Sequence, residues 1–219
     1  TLTHDLVETL GYSNYKGHYM LDDAELNKKG YDRIYDSLMP NEVYEKLEKF
    51  FNDKSTNFEK KMNITEFLSL LGSLVEKRSI LKSCYDKKIP IFCPAISDSG
   101  IGLMIWSLLN KHKNIEVLAF DDLKLILDIA WTSKKSGVIY LGGGVPKNYI
   151  QQAMQFSPNQ AQYGIQITMD RPEPGGSSGA ELREGISCGK LNEKAHFVDV
   201  ICDVTIALPL IWASVKNSI

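Results

Sequence analysis

Val138-Ile139-Tyr140-Leu141-Gly142-Gly143-Gly144 runs four apolar residues straight into three glycines, and a helical stretch to about Phe156 follows. A short apolar run that stops at a glycine turn reads as a buried strand delivering the chain into a helix. Tyr163 to Thr168 then supplies the next strand. The same alternation extends outward on both sides. Ile89-Pro90-Ile91-Phe92 is an apolar run ahead of Pro94, Asp98, Ser99 and Gly100, with a helix from Ile101 to Asn110. Ile115 to Phe120 reads as a strand and Asp121 to Lys134 as a helix; Phe197 to Ile201 is a fifth strand, and Thr205 to Val215 a closing helix. Strands separated by helices predict an α/β fold, a doubly wound and mostly parallel sheet with flanking helices.

The N-terminal half has a different texture. Residues 1–10 predict a helix with Leu2, Leu6, Val7 and Leu10 on one face. Residues 11–40 read as irregular and aromatic, with Tyr12, Tyr15, Tyr19, Tyr31 and Tyr35 among polar residues. Met39-Pro40-Asn41 punctuates, and Asn41 is placed to cap a helix that runs to about Asn52. Residues 53–63 read as a charged loop, and Thr65 to Glu76 as a second amphipathic helix.

Composition excludes several classes. Of 219 residues, 43% are hydrophobic and 24% charged, the balance of a globular protein rather than a disordered one. A net charge of -2 without lysine runs gives no nucleic-acid surface. No apolar stretch is long enough to span a bilayer, and Thr1-Leu2-Thr3-His4-Asp5-Leu6 is neither a signal nor a transit peptide. Cys84, Cys93, Cys188 and Cys202 form no C-x-x-C pair and read as free thiols. The scattered His4, His18, His112 and His196 form no H-E-x-x-H, so no metal is expected.

In such sheets ligands gather beyond the carboxyl ends of the strands. Four loops are candidates: the one carrying Asp98, the triple glycine, the loop after Thr168, and Cys202-Asp203. The triple glycine lets a ligand approach a helix N-terminus, where the dipole favours phosphate. Asp98 and Asp203 suit ribose hydroxyls, although an aspartate there is more commonly a helix cap. From Arg171 to Lys190 the chain holds five glycines, three serines and two prolines, then a short helical segment expected from Ala180 to Ser187. Its N–H groups, Glu184 and Lys190 suit binding an amine and passing it on covalently; a plain surface connection is the commoner reading of such a loop.

Taken together, these segments resemble the deoxyhypusine synthase family. The matching stretches are Leu38 to Glu42, Ile91 to Asp98, Leu141 to Lys147, Ser178-Gly179-Ala180, Glu184 to Lys190 and Asp203 to Leu210. The likeness covers nearly all of the chain in the family's order. It implies a Rossmann-like NAD-binding domain over residues 1–219 and a cytoplasmic enzyme. The implied activity oxidises the secondary amine of spermidine, moves the aminobutyl group onto Lys190, and passes it to a lysine of translation initiation factor 5A, the hypusine precursor. For chemistry, Lys190 must attack as a neutral amine. The resemblance implies Glu184, Gly175, Gly176, Ser177, Cys188 and Leu103 at the polyamine, and Asp98, Gly142, Gly143, Gly144, Met169, Asp170, Asp203 and Val204 at NAD.

The chain also departs from the family. Asn148 stands where eukaryotic members have a histidine that shuttles protons, and asparagine is no base. Cys188 replaces a tryptophan, and Leu103 and Ser177 replace two channel aspartates. These changes resemble the prokaryotic deoxyhypusine synthase-like branch, some of whose members use putrescine as acceptor and make homospermidine. A catalytically silent partner subunit is a third reading. The family's assembly implies a homotetramer with shared sites, and the chain is expected to lack the family's N-terminal segment, either because another chain supplies it or because the chain is a fragment.

Overall fold

The computed structural model describes residues 1–58, 60–112 and 114–218, and the chain forms two compact units, Thr1–Ala119 and Phe120–Ile219. The first contains α1 (Leu2–Thr9), β1 (Tyr15–Lys16), α2 (Asp23–Lys28), β2 (Tyr31–Ile34), β3 (Ser37–Pro40), α3 (Glu42–Asp53), a 3-10 turn (Ser55–Phe58), β4 (Lys61–Asn63), α4 (Ile64–Ser73), α5 (Ile80–Lys87), α6 (Gly100–Lys111) and β5 (Glu116–Leu118). The second contains α7, which starts on the last residue of the first (Ala119–Thr132), β6 (Gly137–Leu141), α8 (Val145–Gln155), β7 (Ala161–Thr168), α9 (Glu184–Ser187), β8 (Leu191–Ile201) and α10 (Val204–Lys216). The parallel α/β architecture expected from the sequence is present.

The first unit is organised around an aromatic core. Phe51 of α3, Phe58 and Phe67 of α4 stack with ring centroids 5.3 to 6.3 Å apart, all fully buried. Such rings contribute beyond their buried area when stacked at this spacing. α4 is started by a capping box: Asn63 accepts from the Glu66 amide at 2.7 Å, and Glu66 accepts from the Asn63 amide at 3.0 Å. α1 serves two other helices. Its Asp5 carboxylate accepts from the Ile80 and Leu81 amides at the head of α5, and its Thr3 hydroxyl from the Ile101 amide in α6. Asp5→Ala therefore leaves two helix-head amides without their acceptor and is expected to cost about 1–2 kcal/mol, measured by urea unfolding.

Three local expectations are corrected. Residues 31–40 form an antiparallel hairpin, β2 paired with β3, rather than irregular chain. Its turn puts Tyr35 at φ 54, left-handed for a non-glycine residue, so the usual Asn-Gly signature is missing. Ile89 to Phe92 forms no strand; Pro90 lies within it and has no N–H to give to a ladder. Asn41 precedes α3 but is already in helical conformation, and its side chain makes no cap bond.

In the second unit, β6, β7 and β8 pair in parallel in that order. Val138, Tyr140, Gly164, Gln166, Phe197 and Asp199 line one face, and Lys147 of α8 over Tyr140 and Leu182 against Gly164 show the chain covering it after both β6 and β7. Two crossovers of one hand, adding strands in one direction, must stand on the same side. β8 carries a large bulge: β7 advances from Ala161 to Tyr163 while β8 advances from Leu191 to His196.

Candidate functional site

Three of the expected loops meet at the carboxyl edge of this sheet. The Gly142 amide donates to the Ile167 carbonyl at 2.8 Å, and the Cys202 amide to the Thr168 carbonyl at 3.3 Å. Gly142 and Gly144 take φ of 77° and 73°, which lets the chain leave β6 and enter α8 in three residues. Gly144 caps α8 with no side chain, so the first amides of that helix carry no side-chain cap. Asp203 stands at the head of α10 and accepts from the Thr205 amide at 2.8 Å and its hydroxyl at 2.6 Å. Those hydrogen bonds hold its carboxyl below the usual aspartate range. Met169 and Asp170 lie exposed between these loops, and the Asp170 amide is held by the Thr168 hydroxyl. Exposed dipoles, an acid and a helix head on one edge can bind a phosphate and hydroxyl-bearing ligand.

The lowered Asp203 value has a defined pH consequence. A carboxyl whose folded value lies below its unfolded one stabilises above the unfolded value, and that contribution disappears as pH falls through the folded one. The stability difference between the protein and Asp203→Ala is therefore expected to be full at neutral pH and to shrink in acid, read from thermal melts across that range.

The glycine-rich segment packs back onto the triple-glycine turn. A Cβ placed on Gly143 would collide with the backbone of Ser178. Lys147, in the first turn of α8 and only 2% exposed, donates to the Ser177 carbonyl at 2.8 Å and to the Ala180 carbonyl at 2.6 Å. Gln166 of β7 donates to the same Ala180 oxygen at 3.0 Å. Just beyond, the Leu182 amide donates to both oxygens of Asp199. Burial pulls the Lys147 ammonium below the ordinary lysine range; Asp199 and Glu184 oppose the shift, and the charge of Lys190 adds to it. Burial likewise raises the Asp199 carboxyl, with the Leu182 amide opposing.

Lys190 is set by the end of α9, a single turn rather than the longer helix expected from Ala180. Gly189, at φ 69, donates to the Ile186 carbonyl at 3.1 Å, and the Lys190 amide to the Gly185 carbonyl at 2.8 Å. This pair of bonds is the glycine-terminated helix cap, and it hands the chain directly to β8. Leu191 pairs with Ala161, the first residue of β7, so the Lys190 backbone stands at the amino edge of the sheet. The triple-glycine turn stands at the carboxyl edge. What joins them is the stretch from Ser177 to Glu184 laid along the sheet face, with Lys147 in the field of both Glu184 and Lys190. Lys190 is half-buried, whereas Glu184, Cys188, Ser177, Gly175 and Gly176 are exposed; Asn148 is half-buried on α8, and Val204 half-buried at the start of α10.

Asp98 and Leu103 belong to the first unit. Asp98 is exposed before α6, and the cap of that helix is Ser99, whose hydroxyl accepts from the Gly102 amide at 3.0 Å. Leu103 is exposed on α6 and does not line the apolar pocket of ≈ 280 Å³ formed there by Ile96, Ile105, Trp106 and Leu109 among others. Among the described residues no cluster of histidine, cysteine and carboxylate groups could hold a metal, and no helix is long and apolar enough to cross a membrane. Lys147, Gln166 and Asp199 were not among the residues singled out in the sequence. Lys147 sits within the quoted glycine motif, but nothing local marks it as buried.

Comparison with known proteins converges on one family. The family model for deoxyhypusine synthase matches residues 1–215. The chain is 41% identical over 218 residues to Probable deoxyhypusine synthase 1 of Methanosarcina acetivorans, spanning 99% of this chain and 68% of that one. It is 38% identical over 213 residues to Probable deoxyhypusine synthase 1 of Archaeoglobus fulgidus, spanning 97% and 69%. A crystal structure assigned as a deoxyhypusine synthase from Entamoeba histolytica superposes with a TM-score of 0.65 at 19% identity, covering 97% of this chain and 61% of that one. That last likeness speaks for the fold alone.

Proposed function

The chain belongs to the deoxyhypusine synthase family, and on that premise we propose that it is an aminobutyltransferase working through an imine on Lys190. Its donor is spermidine and its acceptor a lysine of translation initiation factor 5A. The observation that carries this reading is the packing, onto the triple-glycine turn, of the glycine-rich loop that runs on to Glu184 and Lys190. NAD fits the carboxyl edge. The side-chain-free head of α8 and the open space around Gly142 suit its diphosphate, and Asp203 its ribose hydroxyls. Met169, Asp170 and Val204 would flank it. Bound NAD supplies the oxidation of an amine to an imine and the matching reduction.

The residues of this chain do the rest. Glu184 attracts the cationic polyamine, since a carboxylate and an ammonium bind by charge-assisted hydrogen bonds. The free Lys190 amine adds to the imine carbon of oxidised spermidine, and the carbon–nitrogen bond to diaminopropane breaks as a proton moves to the departing amine. Asn148, near the head of α8, can orient a hydrogen bond during the oxidation but cannot take its proton, so water carries it. The acceptor amine then displaces Lys190 in the same way, and reduction of the new imine completes the transfer.

Incubation with NAD and spermidine, borohydride trapping and peptide mass spectrometry test the reading. An aminobutyl adduct on Lys190 is expected; its absence at saturating substrates favours the silent-partner reading. Leu103 and Ser177, in place of channel aspartates, favour a second acceptor. Supplying putrescine or the initiation factor to the trapped-competent enzyme divides homospermidine from deoxyhypusine formation. A cytoplasmic homotetramer is the assembly we propose. The exposed apolar residues Ile139 and Leu141 of β6, Val198 of β8 and Leu210 and Trp212 of α10 support it, because parallel sheets are normally covered on both faces.

A further inference from the structure

We propose that Lys147 is a positioning residue that fixes the turn from Ser177 to Ala180 and, through it, sets Glu184 and Lys190 relative to the triple-glycine turn. The inference rests on the function proposed above. A segment with glycines at 175, 176 and 179 has little intrinsic preference for one path, so its path must be imposed by partners. The partners are specific. The Ser177 and Ala180 carbonyls both aim at the one Lys147 nitrogen, which is 2% exposed. Gln166, 1% exposed, takes the second lone pair of Ala180. Gly143 closes the third side, since any larger residue would meet the Ser178 backbone.

From that anchored turn the chain has few ways to go. Leu182, 1% exposed, lies against Gly164 of β7, and its amide is tied to Asp199 of β8. Glu184 follows at once, and the glycine cap of α9 then dictates where Lys190 begins. The clamp does not depend on the charge state of Lys147. A neutral amine keeps two N–H groups, one for each carbonyl, so the burial that disfavours its ammonium leaves the turn held.

The test compares the full chain with Lys147→Met, which keeps length and apolar bulk but donates nothing, and with Lys147→Arg, which restores donors. Hydrogen exchange of residues 175–182 is expected to accelerate at least about tenfold in Lys147→Met while β6, β7 and β8 stay protected. The KM for spermidine is expected to rise about tenfold or more with a smaller change in kcat, and Lys147→Arg to recover part of both. A folded Lys147→Met protein with unchanged exchange in this segment, or with unchanged KM, overturns the proposal. If Lys147→Met does not fold, Gln166→Leu decides by the same two readings, because it removes the other donor to Ala180. Should the parent protein form no adduct with spermidine, the functional reading fails, and the exchange measurement still decides the clamp without turnover.

Discussion

Lys190→Arg is expected to remove the borohydride-trapped adduct completely and to lower aminobutyl transfer by roughly 10³-fold or more. The size follows from the chemistry rather than from packing. A guanidinium stays charged at any pH the protein tolerates, and its nitrogen electrons are delocalised, so it cannot add to an imine carbon. The fold should not notice the change. Lys190 is half-buried, and the bond that fixes its place comes from its backbone amide to Gly185, which arginine retains. Thermal melting of the variant should match that of the parent. Retained adduct elsewhere in the chain, or transfer within tenfold of the parent, would mean that the aminobutyl group travels by another nucleophile.

The second large effect is expected from Gly143→Ala. A single methyl group there meets the Ser178 backbone, not the end of a flexible side chain, so neither neighbour can swing aside. One of the two loops must move by the order of an ångström, and a displacement of that size at a reacting centre costs about 10²-fold in rate. Because the displaced turn also opens α8, NAD affinity should fall together with turnover. Gly142→Ala offers the contrast: nothing lies within 4 Å of its Cβ, so its penalty is backbone strain from a positive φ alone. Equal effects of the two substitutions on activity and on melting temperature would show that the contact with Ser178 carries no weight.

β6 and β7 were legible because β6 ends on the triple glycine and β7 ends ahead of a loop broken by two prolines, and both lie within a residue or two of their expected bounds. Other elements were hidden for identifiable reasons. The first half of β8, from Leu191 to His196, is broken by its bulge, so no alternation marks it. The capping box of Asn63 and Glu66 was readable from the spacing Asn-Ile-Thr-Glu, yet it falls at the edge of a charged stretch that looks like loop. At the site, Lys190, Glu184 and the triple glycine came from motif positions. The clamp did not, since Lys147 finds its acceptors 30 and 33 residues away, and only the tertiary fold turns a lysine that should be solvated into a buried one.

The bulge of β8 makes this region sensitive to parity. Beyond His196 the side chains alternate strictly, and Asp199 stands opposite Gln166 on the face that holds Leu182. Losing one residue between Asn192 and Ala195 while keeping Leu191 paired could be absorbed by a smaller loop, with no change downstream. If the loop resists and the strand slips instead, an odd slip would turn Asp199 to the opposite side and an even one would not. Tolerance to length change in this short segment thus reports whether the looped residues are slack or a spacer.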